Sequence, residues 1–159
     1  MTVSAGFRPK RSLEEISMFG LFGAACVLGI AATGSAIGIG IAGQAAIGAW
    51  KRCYVNNKPA PFILVAFAGA PLTQTIYGLL LMQSMIKAVD AKDPWFLLAL
   101  GLFSGLAMAA SAVFQGKAGA AGSDALGETG KGFVQYLTVV GLAESVALFA
   151  MVFSCIVLA

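Results

Sequence analysis

The sequence contains no histidine, and only 11% of its residues are charged. The absence of histidine excludes histidine-dependent catalysis and histidine metal sites. Soluble domains carry about 25% charged residues, so this chain lacks the polar side chains that cover a surface in water. Its three cysteines, Cys26, Cys53 and Cys155, are odd in number and lack metal-ligand spacing. We interpret Cys26 and Cys155 as small apolar packing residues.

Hydrophobic residues make up 59% of the chain and fall into four long apolar stretches, 16–50, 61–86, 94–126 and 132–159. Each exceeds the ~20 residues that a helix needs to cross a bilayer. The sequence therefore predicts an all-α membrane protein with four transmembrane helices. The first stretch follows basic residues but is too long for a signal peptide, so we interpret it as a retained helix. Ser12 and Glu15 form a capping box that predicts its start near residue 13.

Turn and charged residues near 52–59, 89–93 and 127–131 separate the four stretches. We therefore divide the chain into four parts, listed in order: an N-terminal segment 1–15, a first hairpin 16–86, a connecting loop 87–93 and a second hairpin 94–159. Both hairpins are predicted to be antiparallel. Five of the ten Lys and Arg residues lie on each predicted side, so the positive-inside rule does not decide the orientation.

The two hairpins resemble each other, which indicates a duplication. Residues 141–147 read GLAESVA and residues 71–77 read PLTQTIY, so Gln74 aligns with Glu144. The first and third helices are rich in glycine and alanine, and small residues at three- and four-residue spacing let helices approach closely in lipid. Several small faces on each helix favour a tight homo-oligomeric ring, although close packing within a monomer remains an alternative.

One carboxylate, Glu144, is predicted near the middle of a membrane helix, whereas the other acidic residues lie near helix ends or loops. A charge at that depth costs about 2.5–3.5 kcal/mol on insertion scales. Gln115 and Glu144 are placed symmetrically about the loop 127–131, and Gln74 and Gln115 about the loop that ends at Asp93. Helices of equal rise would therefore bring these three polar side chains to one level in the membrane.

Thr73 and Tyr77 share a helical face with Gln74. Pro71 removes a backbone hydrogen bond and distorts this turn, which could free a carbonyl such as that of Ala70. The carboxylate, two amide oxygens, a hydroxyl and a carbonyl would form an oxygen cage that suits a hard monovalent cation. A proton needs only the carboxylate, so the extra oxygens favour sodium. The alternative is that Thr73 and the glutamines only join helices.

These segments resemble the rotor-ring proteolipid of V-type ATPases, the duplicated four-helix c or K subunit. The similarity is carried by GLAE at 141–144, QGK at 115–117 and PLTQTIYG at 71–78. The resemblance to the sodium-translocating branch implies a site made of the following groups: Thr73, Gln74, Gln115, Glu144 and the carbonyl of Ala70, with Tyr77 donating to the glutamate. The segment 145–149 departs from that family's usual aromatic-glycine continuation.

The resemblance also implies a mechanism and partners. Identical subunits would form a ring with helices 1 and 3 inside, and each Glu144 would carry one ion past an arginine of the stator a or I subunit. The loops 52–59 and 127–131 would lie in the cytoplasm and meet a central-stalk attachment subunit. The chain would be non-catalytic, without a nucleotide site or a nucleic-acid partner, among the lipids of a bacterial cell membrane.

Three alternatives differ in chemistry. The same rotor could carry protons. A small secondary transporter with four helices could also use a membrane glutamate, and a four-helix membrane enzyme would need basic residues near a cofactor pocket, which do not cluster within these stretches. A large, detergent-resistant homo-oligomer would distinguish the ring from the last two.

Overall fold

The computed structural model describes the backbone of residues 10–159 and the side chains from residue 18 onward. Most of the predicted N-terminal segment 1–15, and the side chains of the capping pair Ser12 and Glu15, lie outside these residues. The described chain is helical, in this order: α1 (Lys10–Val55), α2 (Leu64–Gly69), a 3-10 turn (Ala70–Leu72), α3 (Thr73–Lys87), α4 (Pro94–Thr129) and α5 (Phe133–Leu158).

Four segments of the described chain are long and apolar enough to cross a membrane, namely Met18–Val55, Leu64–Lys87, Pro94–Thr129 and Phe133–Leu158. This confirms the prediction of an all-α protein with four candidate membrane spans. The second span consists of α2, the 3-10 turn and α3 in succession.

Both ends of α1 differ from the prediction. The helix α1 already includes Lys10, earlier than the start near residue 13, and it continues to Val55. Its 46 residues span ~69 Å at 1.5 Å per residue, which is more than twice a ~30 Å hydrocarbon layer. Hydropathy marks the part of a helix that suits lipid, whereas the backbone hydrogen bonds continue through the charged residues beyond it.

Specific capping residues begin and end the helix α4 of the second hairpin. Asp93 adopts an extended conformation before α4, and its Oδ1 accepts hydrogen bonds of 3.0 Å from the backbone N–H groups of Trp95 and Phe96, as an N-cap does. At the other end, Gly130 and Gly132 have φ of 67° and 89°. Left-handed backbone suits glycine, which has no Cβ, and it turns the chain from α4 into α5.

The helices α1 and α4 form the most closely packed pair of the bundle. A Cβ added to Gly34, Gly38, Gly101 or Gly116 would come closer than 3.0 Å to backbone atoms of the opposing helix. The backbones therefore approach as closely as glycine allows, which is the packing that the small-residue stripes predicted. The helix α3 packs against α1, α5 packs against α4, and α3 and α5 also contact each other.

The outer surface of α5 is apolar and exposed. Its buried residues are Val140, Ala147, Ser154 and Leu158, whereas Leu142, Phe149 and Phe153 are 67%, 55% and 60% exposed. Contiguous exposed apolar surface of this extent indicates a membrane or a protein partner. It therefore agrees with the membrane assignment.

The two hairpins are joined where their loops lie. Arg52 at the end of α1 forms an exposed ion pair with Asp124 of α4. Within the first hairpin, the indole N–H of Trp50 donates to the carbonyl of Pro61 at 2.8 Å. The thiol of Cys53 contacts the carbonyl of Gly127 at 3.4 Å. Cys53 is buried and Cys26 and Cys155 are half-buried.

Candidate ion-binding site

Glu144 lies near the middle of α5 and is half-buried. The hydroxyl of Tyr77, on α3, donates to its Oε1 at 2.8 Å, and Nε2 of Gln115, on α4, donates to its Oε2 at 3.3 Å. Hydrogen bonds to a carboxylate are stronger than those between neutral groups. Glu144 is therefore held by one donor from each of the two neighbouring helices.

The amide of Gln115 is fully buried and connects three helices. Besides Glu144, its Nε2 donates to the backbone carbonyl of Val140 at 3.2 Å. Its Oε1 accepts a 2.9 Å hydrogen bond from Nε2 of Gln74. Gln115 thus approaches the carboxylate through its nitrogen, whereas the sequence prediction used its oxygen as a ligand.

The amide of Gln74 is also fully buried. Its Oε1 lies 3.3 Å from the hydroxyl oxygen of Thr73, which in turn lies 3.1 Å from the carbonyl oxygen of Ala70. The backbone N–H of Thr73 also donates to that carbonyl. The carbonyl of Ala70 is therefore already an acceptor within the 3-10 turn that contains Pro71, rather than the free carbonyl that the sequence suggested.

All six predicted site residues belong to one hydrogen-bonded network. Glu144 contacts Tyr77 and Gln115, whereas Thr73 and the carbonyl of Ala70 are connected to it through Gln74 and Gln115.

Sequence reasoning missed Ser111, which is buried in α4 beside these amides. Its Oγ lies 3.4 Å from Nε2 of Gln74 and donates to the carbonyl of Ala143 at 2.6 Å. The position could have been found, because Ser111 lies four residues before Gln115 and therefore on the same helical face.

The other acidic side chains of residues 18–159 lie away from this network. They are exposed at helix ends or loops, and they are Asp90, Asp93, Asp124 and Glu128. In the part of the chain that the structure describes, no three His, Cys, Asp or Glu side chains lie together as metal ligands would. A cation at Glu144 would therefore depend on amide, hydroxyl and carbonyl oxygens, and one carboxylate balances one positive charge.

The substitution Tyr77→Phe tests how tightly Glu144 is held. It keeps the aromatic ring but removes the hydroxyl that donates to Oε1, so the carboxylate should become more mobile and more accessible. We expect hydrophobic carbodiimides to modify Glu144 several-fold faster, measured by mass spectrometry at fixed pH. Tyr136→Phe, on α5 about two turns closer to the loop than Glu144, is the control and should leave the rate unchanged; equal rates for all three proteins would contradict the prediction.

Four apolar spans around a buried network with one carboxylate define a multi-pass membrane protein with an ionisable group enclosed between its helices. Residues 98–157, which contain Gln115 and Glu144, match the family of the ATP synthase C subunit. The chain is 32% identical over 142 residues to A-type ATP synthase subunit K of Methanocaldococcus jannaschii, an alignment that covers 89% of this chain and 62% of the relative. The chain thus spans less than two thirds of that relative's length, and its residues 98–157 are similar to the ATP synthase C subunit.

Proposed function

We propose that the chain is a rotor subunit of an A- or V-type rotary ATPase and that Glu144 carries a monovalent cation, with sodium favoured, as the rotor turns. One observation supports this most directly. Glu144 is a half-buried carboxylate in the middle of a membrane-length helix, and donors from α3 and α4 hold it there. Such a residue is costly in lipid and marks ion pathways.

In this mechanism, identical subunits form a ring with α1 and α4 inside, and each Glu144 binds one ion. Four glycines of α1 support a neighbouring copy, because a Cβ on any of them would meet no atom of the same chain within 4 Å: Gly29, Gly40, Gly43 and Gly48. These small residues allow another helix to approach closely. An arginine of the stator a or I subunit would displace the ion from Glu144 at the interface between stator and ring.

The chain itself performs no ATP chemistry in this proposal; the nucleotide sites belong to other subunits of the complex. The loops after α1 and α4 would meet the central-stalk attachment subunit on the cytoplasmic side, and lipids would cover the exposed apolar surface of α5. The bacterial cell membrane remains a prediction from the family resemblance alone.

Sodium is supported by the neutral oxygen atoms of the network. The hydroxyl oxygen of Thr73 lies 3.1 Å from the carbonyl oxygen of Ala70 and 3.3 Å from Oε1 of Gln74. Hard cations prefer such oxygen ligands. The proton alternative is favoured by a different observation: Nε2 of Gln115, rather than its oxygen, faces Glu144, and a proton needs only the carboxylate.

Carbodiimide labelling of Glu144 over a sodium titration tests the proposal. Bound sodium should occupy the carboxylate and protect it, so labelling should fall as sodium rises into the millimolar range at a pH where labelling is complete without sodium. The nearly isosteric substitution Thr73→Val removes one oxygen, and it should shift protection to higher sodium. Thr75→Val, which has no hydrogen-bond partner among the described residues in this network, is the matched control.

Two outcomes would contradict the proposal, the first in its ion and the second in the rotor function. If labelling depends on pH but does not respond to sodium, the transported ion is a proton, and the proposed rotor function stands. Absence of labelling at Glu144 under all conditions would contradict an accessible ion-carrying carboxylate and therefore the rotor function as well.

A further inference from the structure

Ser111 contacts both the site and the helix that carries Glu144. It is 5% exposed, its hydroxyl donates to the carbonyl of Ala143 at 2.6 Å, and Nε2 of Gln74 lies 3.4 Å from its oxygen. Ser111 therefore connects α3, α4 and α5 one residue away from the carboxylate, although it contacts no atom of Glu144 within hydrogen-bond distance.

The hydroxyl of Ser111 has a defined direction. A serine hydroxyl has one hydrogen and two lone pairs, and its hydrogen is used by the carbonyl of Ala143. Towards Gln74, the oxygen of Ser111 can therefore act only as an acceptor. An acceptor at this position favours the nitrogen of the Gln74 amide and disfavours its oxygen.

The oxygen of Gln74 consequently lies on the opposite side of the amide, towards the hydroxyl of Thr73. If the amide turned by 180°, its oxygen would face two acceptors, Oγ of Ser111 and Oε1 of Gln115. Acceptors facing each other without a hydrogen between them leave buried polar atoms unsatisfied, which is costly.

We propose that Ser111 is a positioning residue that fixes the orientation of the Gln74 amide, so that its oxygen is presented to the transported cation together with those of Thr73 and Ala70. This inference rests on the proposed function, because it assigns Ser111 a part in sodium affinity. It involves no contact between Ser111 and the ion. The residue acts through Gln74, by making the amide orientation that offers an oxygen more stable than the reverse orientation.

The test compares two serine-to-alanine substitutions on one face of α4 in the complete protein in its native membrane. Ser111→Ala removes the acceptor beside Gln74. Ser104→Ala is the matched control, because Ser104 lies seven residues earlier and its hydroxyl also joins α4 to α5, through Ser154 at 2.9 Å, without contact to the site. Both changes remove one oxygen atom, so differences in folding should be small.

Two properties are measured for each variant: the sodium concentration that gives half-protection of Glu144 from carbodiimide, and the pH dependence of labelling without sodium. We expect Ser111→Ala to raise the half-protecting sodium concentration about fivefold, the factor that corresponds to one neutral hydrogen bond. Its sodium-free pH profile should match the wild type, because the donors from Tyr77 and Gln115 to Glu144 are unchanged. Ser104→Ala should change neither property.

Three outcomes would overturn the inference, and they are distinguishable. If sodium protects the wild type and Ser111→Ala equally, Ser111 does not position Gln74, and the proposed function stands. If Ser104→Ala and Ser111→Ala shift protection alike, or if Ser111→Ala also shifts the sodium-free profile, the effect comes from packing of α4 against α5. If the wild type itself is not protected, sodium transport and this inference fail together.

Discussion

Replacing Glu144 with glutamine is expected to abolish ion translocation by the assembled complex. Glutamine has almost the same shape but can neither bind and release a proton nor balance the charge of a cation. We expect ATP-driven ion uptake into reconstituted vesicles to fall at least about 100-fold, because a charge in lipid must be neutralised to be carried. Carbodiimide labelling at this position should disappear as well.

Glu128→Gln provides the control for the loss of a carboxylate. Glu128 lies in the last turn of α4 and is exposed, so its replacement removes the same charge from the chain outside the network. Uptake should remain near that of the wild type. Retained transport by Glu144→Gln, with the complex assembled, would show that the ion is carried elsewhere and would contradict the rotor mechanism proposed for this residue.

The meeting of Gln74, Gln115 and Glu144 could be predicted from the sequence. Helices have a constant rise per residue, and the loops between the spans are short, so residues equidistant from a loop lie at similar depth. In the structure the three side chains form consecutive contacts, Gln74 to Gln115 at 2.9 Å and Gln115 to Glu144 at 3.3 Å. The close approach of α1 and α4 could also be predicted, because small residues at helical spacing let helix backbones approach closely in lipid.

The orientation of the amides could not be predicted. Which end of Gln115 faces Glu144 depends on the carbonyl of Val140, an acceptor that α5 places beside it. The role of Ser111 was hidden for a similar reason, since a serine in an apolar helix most often satisfies its own helix backbone, and its partners here come from two other helices. Spacing within one helix carries no information about such partners.

The sequence predicts two copies of one hairpin, and in the structure these copies differ where the site is built. Pro71 aligns with Gly141, and the first copy is interrupted by a 3-10 turn at that position whereas α5 is continuous. The turn brings the carbonyl of Ala70 and the hydroxyl of Thr73 beside Gln74. One copy thus supplies neutral oxygens and the other the charge. A composite site of this kind requires the two hairpins to keep a fixed register, which the contact between α1 and α4 provides.

The substitution Gly116→Ala, at the contact between α1 and α4, is therefore expected to have a large effect on the stability of the protein and on the site. A Cβ at Gly116 would lie closer than 3.0 Å to three backbone atoms of Gly38, and backbone cannot move aside as a flexible side chain can. Alanine is favoured over glycine in a helix by about 1 kcal/mol, but forcing extra volume into a close-packed contact costs typically 1–3 kcal/mol or more. Because Gly116 follows Gln115 directly, the separation of α1 and α4 would also displace the network at Glu144.

We expect Gly116→Ala to lower the thermal stability of the protein in detergent by several degrees and to reduce its detergent-resistant homo-oligomer, measured by size-exclusion chromatography with light scattering. Gly69→Ala is the control, because Gly69 is exposed on α2 and a Cβ there has no neighbour within 4 Å. A wild type that runs as a lone monomer would count against the ring. A Gly116→Ala protein as stable as Gly69→Ala, with sodium protection of Glu144 intact, would show that the register of α1 against α4 tolerates an added methyl group and does not control the site.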